Sequence, residues 1–323
     1  MKKKIKYILI VFPIIILSIL LLIMSNVFKT DVFKTKSGKN LALVNGEGIK
    51  SSDFTKRYEA RKNYYIDKAG NESFLDKPSG KDNLTIDEYI KKTVLDEMID
   101  YKIIEEDAKK MGIEIDSKIV DKKFADLKKD LGDKYKEDQK KLGIKDSYYK
   151  DKIVEQEYLK AHEKKVKGTF EVKDEELKKY YEEHKNEYYL AKVSHILLKT
   201  EKEANQVYGE LSENNFGELA KKYSKDQNSK ESNGFLGEFK SGIFEESVDE
   251  EIKNLNAGQI SKPVKSKLGY HIIRVDEKKT QAFSDVKDSI RNEILNKRYK
   301  DYLKKLKEKA EVEIKLNDAK KWT

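Results

Sequence analysis

An uncharged run from Tyr7 to Phe28, dominated by Ile, Leu and Val, constrains this chain more than any other stretch. Its 22 residues, at about 1.5 Å of rise each, make a helix of about 33 Å, enough to cross a hydrocarbon core of about 30 Å. A cleaved signal peptide has a shorter apolar core and ends in a small-x-small site, whereas Met24-Ser25-Asn26-Val27-Phe28 offers no good one. The expectation is one N-terminal transmembrane helix within residues 1–29, retained as an anchor rather than removed as a signal segment. Lys2, Lys3, Lys4 and Lys6 precede the run, and such basic flanks stay on the cytoplasmic side. The chain is therefore expected to cross the cell membrane once, with its N-terminus cytoplasmic and everything past Lys29 extracytoplasmic. Pro13 is tolerated inside a membrane helix.

The 323 residues allow roughly two domains. Charged residues make up 39% and hydrophobic ones 37%, but 19 Tyr and 12 Phe are too many for a disordered polyelectrolyte. Sixteen glycines and three prolines exclude collagen-like and linker-rich architectures. With no Cys, disulfide frameworks, thiolate zinc sites, Cys nucleophiles and lipid attachment through Cys are excluded. The net charge of +9 includes four lysines ahead of the apolar run, and the rest is dispersed through mixed Lys/Glu stretches. No segment gathers a basic face with stacking aromatics, so nucleic acid is not an expected partner.

After a polar tether over residues 30–40, Leu41 to Ile49 reads as a hairpin turning at Asn45-Gly46. Ser51-Ser52-Asp53 signals a helix start, with Phe54, Tyr58, Arg61 and Tyr65 at helical spacing, and Asp76 to Asn83 reads as a loop. From Thr85 to Met111, apolar residues Ile86, Ile90, Val94, Met98, Ile99 and Ile103 recur every three or four positions, which predicts a strongly amphipathic helix. Further helices are expected over about 116–131, 145–165 and 173–186, the last capped by Asp174. At Tyr189 the pattern changes. Lys192 to Leu198 and Tyr270 to Val275 are strand-like, with helices at about 202–212 and 215–223 and a glycine-containing loop between. Phe283 to Lys309 resumes an amphipathic helix, and Val312 to Leu316 suits a last strand that returns to the segment before residue 188.

Four histidines differ in context. His162 and His184 sit in charged helical segments and read as solvated helix-surface residues. His195 alternates with Val193 and Leu197, and His271 with Ile273 and Val275, so each is expected to point from a strand into apolar surroundings. Buried there, each needs hydrogen-bond partners, since an unsatisfied polar group costs about 1–3 kcal/mol. Neither has a second ligand at close spacing, so no metal is expected, and no cofactor either.

Val193-Ser194-His195-Ile196-Leu197 resembles the first strand of parvulin-type peptidyl-prolyl isomerases. Phe216, Leu219-Ala220, Tyr223-Ser224-Lys225-Asp226 and Ser229, followed by Gly234 to Phe239, resemble that family's helix and glycine-containing loop. Gly258 to Val264 and Leu268 to Ile273 match its final segment. The rest is similar to the chaperone part of membrane-associated foldases of the PrsA and SurA kind, through Val44-Asn45-Gly46 and the helix around Met98-Ile99. The resemblance implies an α+β chain. A parvulin-like domain over residues 189–278, an antiparallel sheet with surrounding helices, is inserted in a mostly helical chaperone domain made of 30–188 and 279–323.

It also implies site residues. His195 and His271 are the paired core histidines, Asp226 faces the substrate bond, and Ser229 joins the adjoining polar network. The proline pocket falls on Leu236, Phe244 and Val248, with Leu268 at its margin. Two departures stand out: Asn233-Gly234-Phe235-Leu236-Gly237 replaces the usual Gly-Gly-Asp-Leu-Gly, and Val248 stands where an aromatic residue is common. The implied activity is extracytoplasmic peptidyl-prolyl isomerisation and chaperoning of unfolded or newly translocated proline-containing polypeptides. A holdase with a degenerate, non-catalytic parvulin domain and a purely structural envelope protein remain as alternatives. The long helices also offer faces for pairing into a homodimer.

Overall fold

The computed structural model describes residues 40–81, 83–212 and 214–315. The expected membrane span and the tether up to residue 39 lie outside the described residues, among which no helix is long and apolar enough to cross a membrane. The described residues divide into two compact units, residues 40–170 with 297–315, and residues 171–296.

The first unit opens with strands β1 (Asn40–Val44) and β2 (Glu47–Lys50), antiparallel and joined at Asn45-Gly46, whose φ of 49° and 85° give the left-handed pair that a two-residue hairpin needs. Asn45 does more than turn the chain. Its N–H donates to the Glu311 carbonyl at 2.8 Å, its side-chain oxygen accepts from the Glu311 N–H at 2.9 Å, and its amide nitrogen donates to Glu106 at 2.7 Å. These bonds seat strand β7 (Val312–Ile314) beside β1, giving a three-stranded antiparallel sheet in the order β2-β1-β7.

Helix α1 (Ser51–Ala69) follows β2 without a break, so Lys50 occupies the cap position and no side chain caps the helix; the expected Ser-Ser-Asp signal lies inside its first turn. Helix α2 (Ile86–Lys110) starts from a reciprocal capping box between Thr85 and Glu88. Its Ile90, Val94, Met98, Ile99 and Ile103 pack on Leu41, Val44, Ile49, Phe54 and Tyr58 to form the core under the sheet. A second core joins α3 (Ser117–Leu131), α4 (Asp133–Leu142) and α5 (Asp146–Lys167) through Phe124, Leu127, Tyr135, Tyr149 and Ile153. Helix α4 was not anticipated, because ten mostly charged residues bury only Tyr135, Asp138 and Leu142.

One reading is overturned here. His162, expected at the solvated surface of α5, is 0% exposed. Its Nε2 lies 2.9 Å from Asp107 Oδ2 and its Nδ1 2.9 Å from the Tyr299 hydroxyl, while the Tyr302 hydroxyl donates to the same Asp107 oxygen at 2.6 Å. The groups that bond this imidazole or lie beside its ring, Asp107, Tyr299 and Tyr302, are all remote from it in sequence.

In the second unit, β3 (Tyr189–Leu198), β4 (Phe235–Lys240), β5 (Val264–Ser266) and β6 (Gly269–Thr280) form an antiparallel sheet in the order β4-β3-β6-β5. One face carries Ile196, Leu198 and Ile272 against α7 (Glu201–Gly209) and α8 (Phe216–Tyr223), with Phe216 fully buried. The other carries Tyr189, Ala191, Val193, Ile273 and Val275 against α9 (Glu246–Asn254). Strands β4 and β5 and helix α9 occupy the stretch read as a glycine-containing loop. Gly237 interrupts the alternation of β4, and α9 buries only Val248 and Ile252, too few to register as a period. Helix α6 (Asp174–Glu183) packs Leu177 and Tyr181 on Val286, Ile290 and Ile294 of α10 (Phe283–Lys309), so that α6 and the part of α10 up to Asn296 belong to this unit. Asp174 is the first residue of α6 rather than its cap, and its carboxylate bonds Lys287 at 2.6 Å.

Candidate active site

The sheet register brings the two strand histidines together. His195 on β3 stands opposite Ile273, and Leu197 opposite His271, so both imidazoles share the face that carries Val193, Ile273 and Val275. Their Nδ1 atoms are 3.1 Å apart and their rings are tilted by 33° at a centroid distance of 5.2 Å. His195 Nε2 lies 2.9 Å from Asp226 Oδ2, and the Ser229 hydroxyl donates to that oxygen at 2.5 Å. At the other end, His271 Nε2 lies 2.7 Å from the Ser266 hydroxyl, which also accepts the Leu268 N–H at 3.0 Å.

One assignment of protons satisfies every link. With Asp226 ionised, His195 donates from Nε2 and so accepts at Nδ1; His271 then donates from Nδ1 and accepts at Nε2 from Ser266. Both rings are neutral in this arrangement. Burial, reinforced by repulsion from His195 and partly opposed by Glu245 and Asp226, pushes His271 down to about 4. Burial alone would raise the Asp226 carboxyl. The Ser229 hydroxyl, the His195 ring and the Asn228 N–H outweigh it and hold the group below the usual carboxylate range.

Backbone geometry holds the acidic end in place. Gly234, at φ 82°, donates its N–H to the Ser229 carbonyl and accepts the His195 N–H at 2.8 Å; a Cβ there would lie 2.4 Å from the His195 carbonyl oxygen. Asn233 before it has φ 59°, a left-handed conformation that Asn tolerates better than most residues. Phe235, the other departure from the family's glycine-rich pattern, is 45% exposed and leaves the bonds around Gly234 intact.

Leu236 and Phe244 are half-buried and pack on one apolar cluster with Val193, Val248, Ile252 and Ile273. Val248 is 7% exposed, beneath this shelf. Phe239, which sequence reasoning did not single out, lies edge-on to Phe244 with ring centroids 4.8 Å apart. The structure thus gathers His195, Asp226, Ser229 and His271 into one hydrogen-bonded chain and Leu236, Phe244 and Val248 into one apolar cluster. It does not place the Leu268 side chain in that cluster, since Leu268 is 74% exposed in the turn between β5 and β6. Ser266 was missed. Its only sequence signal was a hydroxyl five residues before His271, on the strand that pairs with it.

Residues 194–277 match the Rotamase family, described as a PPIC-type PPIase domain, and residues 1–126 match a SurA-like N-terminal domain. The chain is thus a parvulin-type peptidyl-prolyl isomerase joined to a SurA-like chaperone part. It is 34% identical over 267 residues to Foldase protein PrsA of Caldanaerobacter subterraneus subsp. tengcongensis, covering 80% of each chain. It is 35% identical over 237 residues to Foldase protein PrsA 3 of Bacillus anthracis, covering 71% of this chain and 75% of that one. A solved structure of peptidylprolyl isomerase (PrsA) from Bacillus anthracis aligns at 32% identity over 66% of this chain and 93% of its own, with a TM-score of 0.42. The chain belongs to the PrsA foldase family: an extracytoplasmic isomerase and chaperone of client polypeptides.

Proposed function

We propose that catalysis is non-covalent and that His195, Asp226 and His271 carry it. Rotation about a peptide bond costs about 18–20 kcal/mol because the C–N bond is partly double. No bond needs to break; the enzyme has to bind the twisted amide better than either planar form. Leu236, Phe244 and Val248 hold the proline ring while the peptide beyond it turns, and Leu268 touches the client from the margin. The ionised Asp226 tunes the field near the carbonyl, and the two imidazoles together with Ser229 keep it oriented. The observation that carries this reading is the continuous bond chain from Ser229 through Asp226, His195 and His271 to Ser266, on the sheet face that also carries the apolar shelf. A protease-coupled assay with the full-length protein tests it, and absence of any acceleration on X-Pro peptides overturns it.

The clients are unfolded or newly translocated proline-containing polypeptides, whose X-Pro bonds isomerise in tens to hundreds of seconds. Residues 189–278 act as the isomerase domain, with 30–188 and 279–323 as the holding domain. The run from Tyr7 to Phe28 supports a single-pass anchor with a cytoplasmic N-terminus, and the mass of the protein recovered from membrane and medium tests whether it is retained. The helices support pairing into a homodimer, which sedimentation of the full-length chain reads directly.

A further inference from the structure

Lys278 lies on β6, the strand that carries His271. Its Nζ donates to three backbone carbonyls at the end of α9, those of Ile252 at 2.9 Å, Lys253 at 2.7 Å and Leu255 at 2.8 Å. An ammonium has three protons, and here each has an acceptor. The same Nζ sits 5.0 Å from the centroid of the Tyr189 ring, on β3. The last carbonyls of a helix have no partner within it, and a positive charge there also meets the negative end of the helix dipole. One side chain therefore ties the C-terminal end of α9 to two strands of the sheet.

Helix α9 supplies Val248 and the fully buried Ile252 to the cluster under Leu236 and Phe244. We infer that Lys278 is a positioning residue for the proline shelf: it clamps the end of α9 to the histidine-bearing strand, so that shelf and histidine pair keep one spacing. The N-terminal part of α9 has separate ties. The Ser247 hydroxyl donates to the Lys265 carbonyl at 2.8 Å, and the Tyr189 hydroxyl donates to Asp249 at 3.1 Å. Loss of Lys278 removes three bonds from the C-terminal end of the helix, leaving it held there by the packing of Ile252 and the Lys253–Glu187 pair, and leaves the hydrogen-bonded chain of His195 and His271 untouched.

The inference rests on reading the Leu236–Phe244–Val248 cluster as the proline pocket. Its test compares the full-length parent with Lys278→Gln and Lys278→Arg. An X-Pro peptide is titrated by NMR, and cis–trans exchange is measured at saturation. Lys278→Gln is expected to weaken peptide affinity about fivefold to tenfold while the saturated exchange rate stays within about twofold. Lys278→Arg keeps the charge but spreads its donors in a plane, and is expected to fall about midway; it carries the test alone if the Gln variant does not fold. A lysine that only stabilises the fold would lower the melting temperature and leave the affinity of the folded variants at the parent value, which overturns the inference. A parent that binds the peptide without speeding its exchange overturns the isomerase reading, and the affinity ratio still decides the role of Lys278.

Discussion

His162, in the helical unit, and His195, in the sheet unit, each place Nε2 at 2.9 Å from an aspartate oxygen, of Asp107 and Asp226 respectively. Beyond that shared pair they diverge. The second nitrogen of His162 ends on a tyrosine hydroxyl, and the rings of Tyr299 and Tyr302 stand within 5.9 Å, leaving the imidazole 0% exposed. The second nitrogen of His195 leads to another imidazole, on a sheet face that also carries the half-buried Leu236 and Phe244. A buried His–Asp pair is therefore not in itself a reaction centre. Enclosed by aromatic rings it ties helices together, whereas the pair beside the apolar shelf is the one we propose acts on what the shelf holds.

The contrast breaks most sharply by truncation. His162→Ala is expected to cost about 3 kcal/mol in urea unfolding, from a cavity and from Asp107 stripped of a partner, while the folded variant keeps its isomerase rate. His195→Ala should do the reverse, lowering kcat/KM about a hundredfold in the protease-coupled assay with a smaller loss of stability. If both variants lose activity equally at equal folded fraction, the distinction between the two sites is wrong.

Acid sharpens it further. His271 stays neutral in the fold down to about 4, while in the unfolded chain it takes a proton below its ordinary 6.5. Its contribution is intact above pH 6.5 and is lost progressively as pH falls towards 4. Moving from pH 7 to pH 5 should cost about 2 kcal/mol through this group. Urea titrations at both pH values, with His271→Gln as the reference lacking this slope, measure it. Ser266→Ala leaves His271 Nε2 without its donor and should lower kcat/KM about tenfold. Leu268→Ala should change it less than about twofold, because an exposed side chain gives up little burial on truncation.

Much of this was legible in the residues. Alternation placed His195 with Val193 and His271 with Ile273 on one face, and the register then put the two rings in bonding distance. Helix α10 was read from Phe283 to Lys309 because its apolar stripe through Val286, Ile290 and Ile294 runs long enough to establish a period. Helix α9 shows no such stripe, and Ser266 is an ordinary hydroxyl until β5 folds against β6. His162 was misread for a related reason. Its own helix is charged, and the partners that bury it come from residues 107, 299 and 302.

The bond between Glu311 and Asn45 spans 266 positions, and it closes the first sheet. A ribosome delivers β1 and β2 long before β7 exists, so that sheet waits with an unpaired edge while the intervening four-stranded sheet, all of whose strands lie between Tyr189 and Thr280, has everything it requires. A protein that attends the slow maturation of others thus has a late step of its own, timed by how far apart in synthesis β1 and β7 are made.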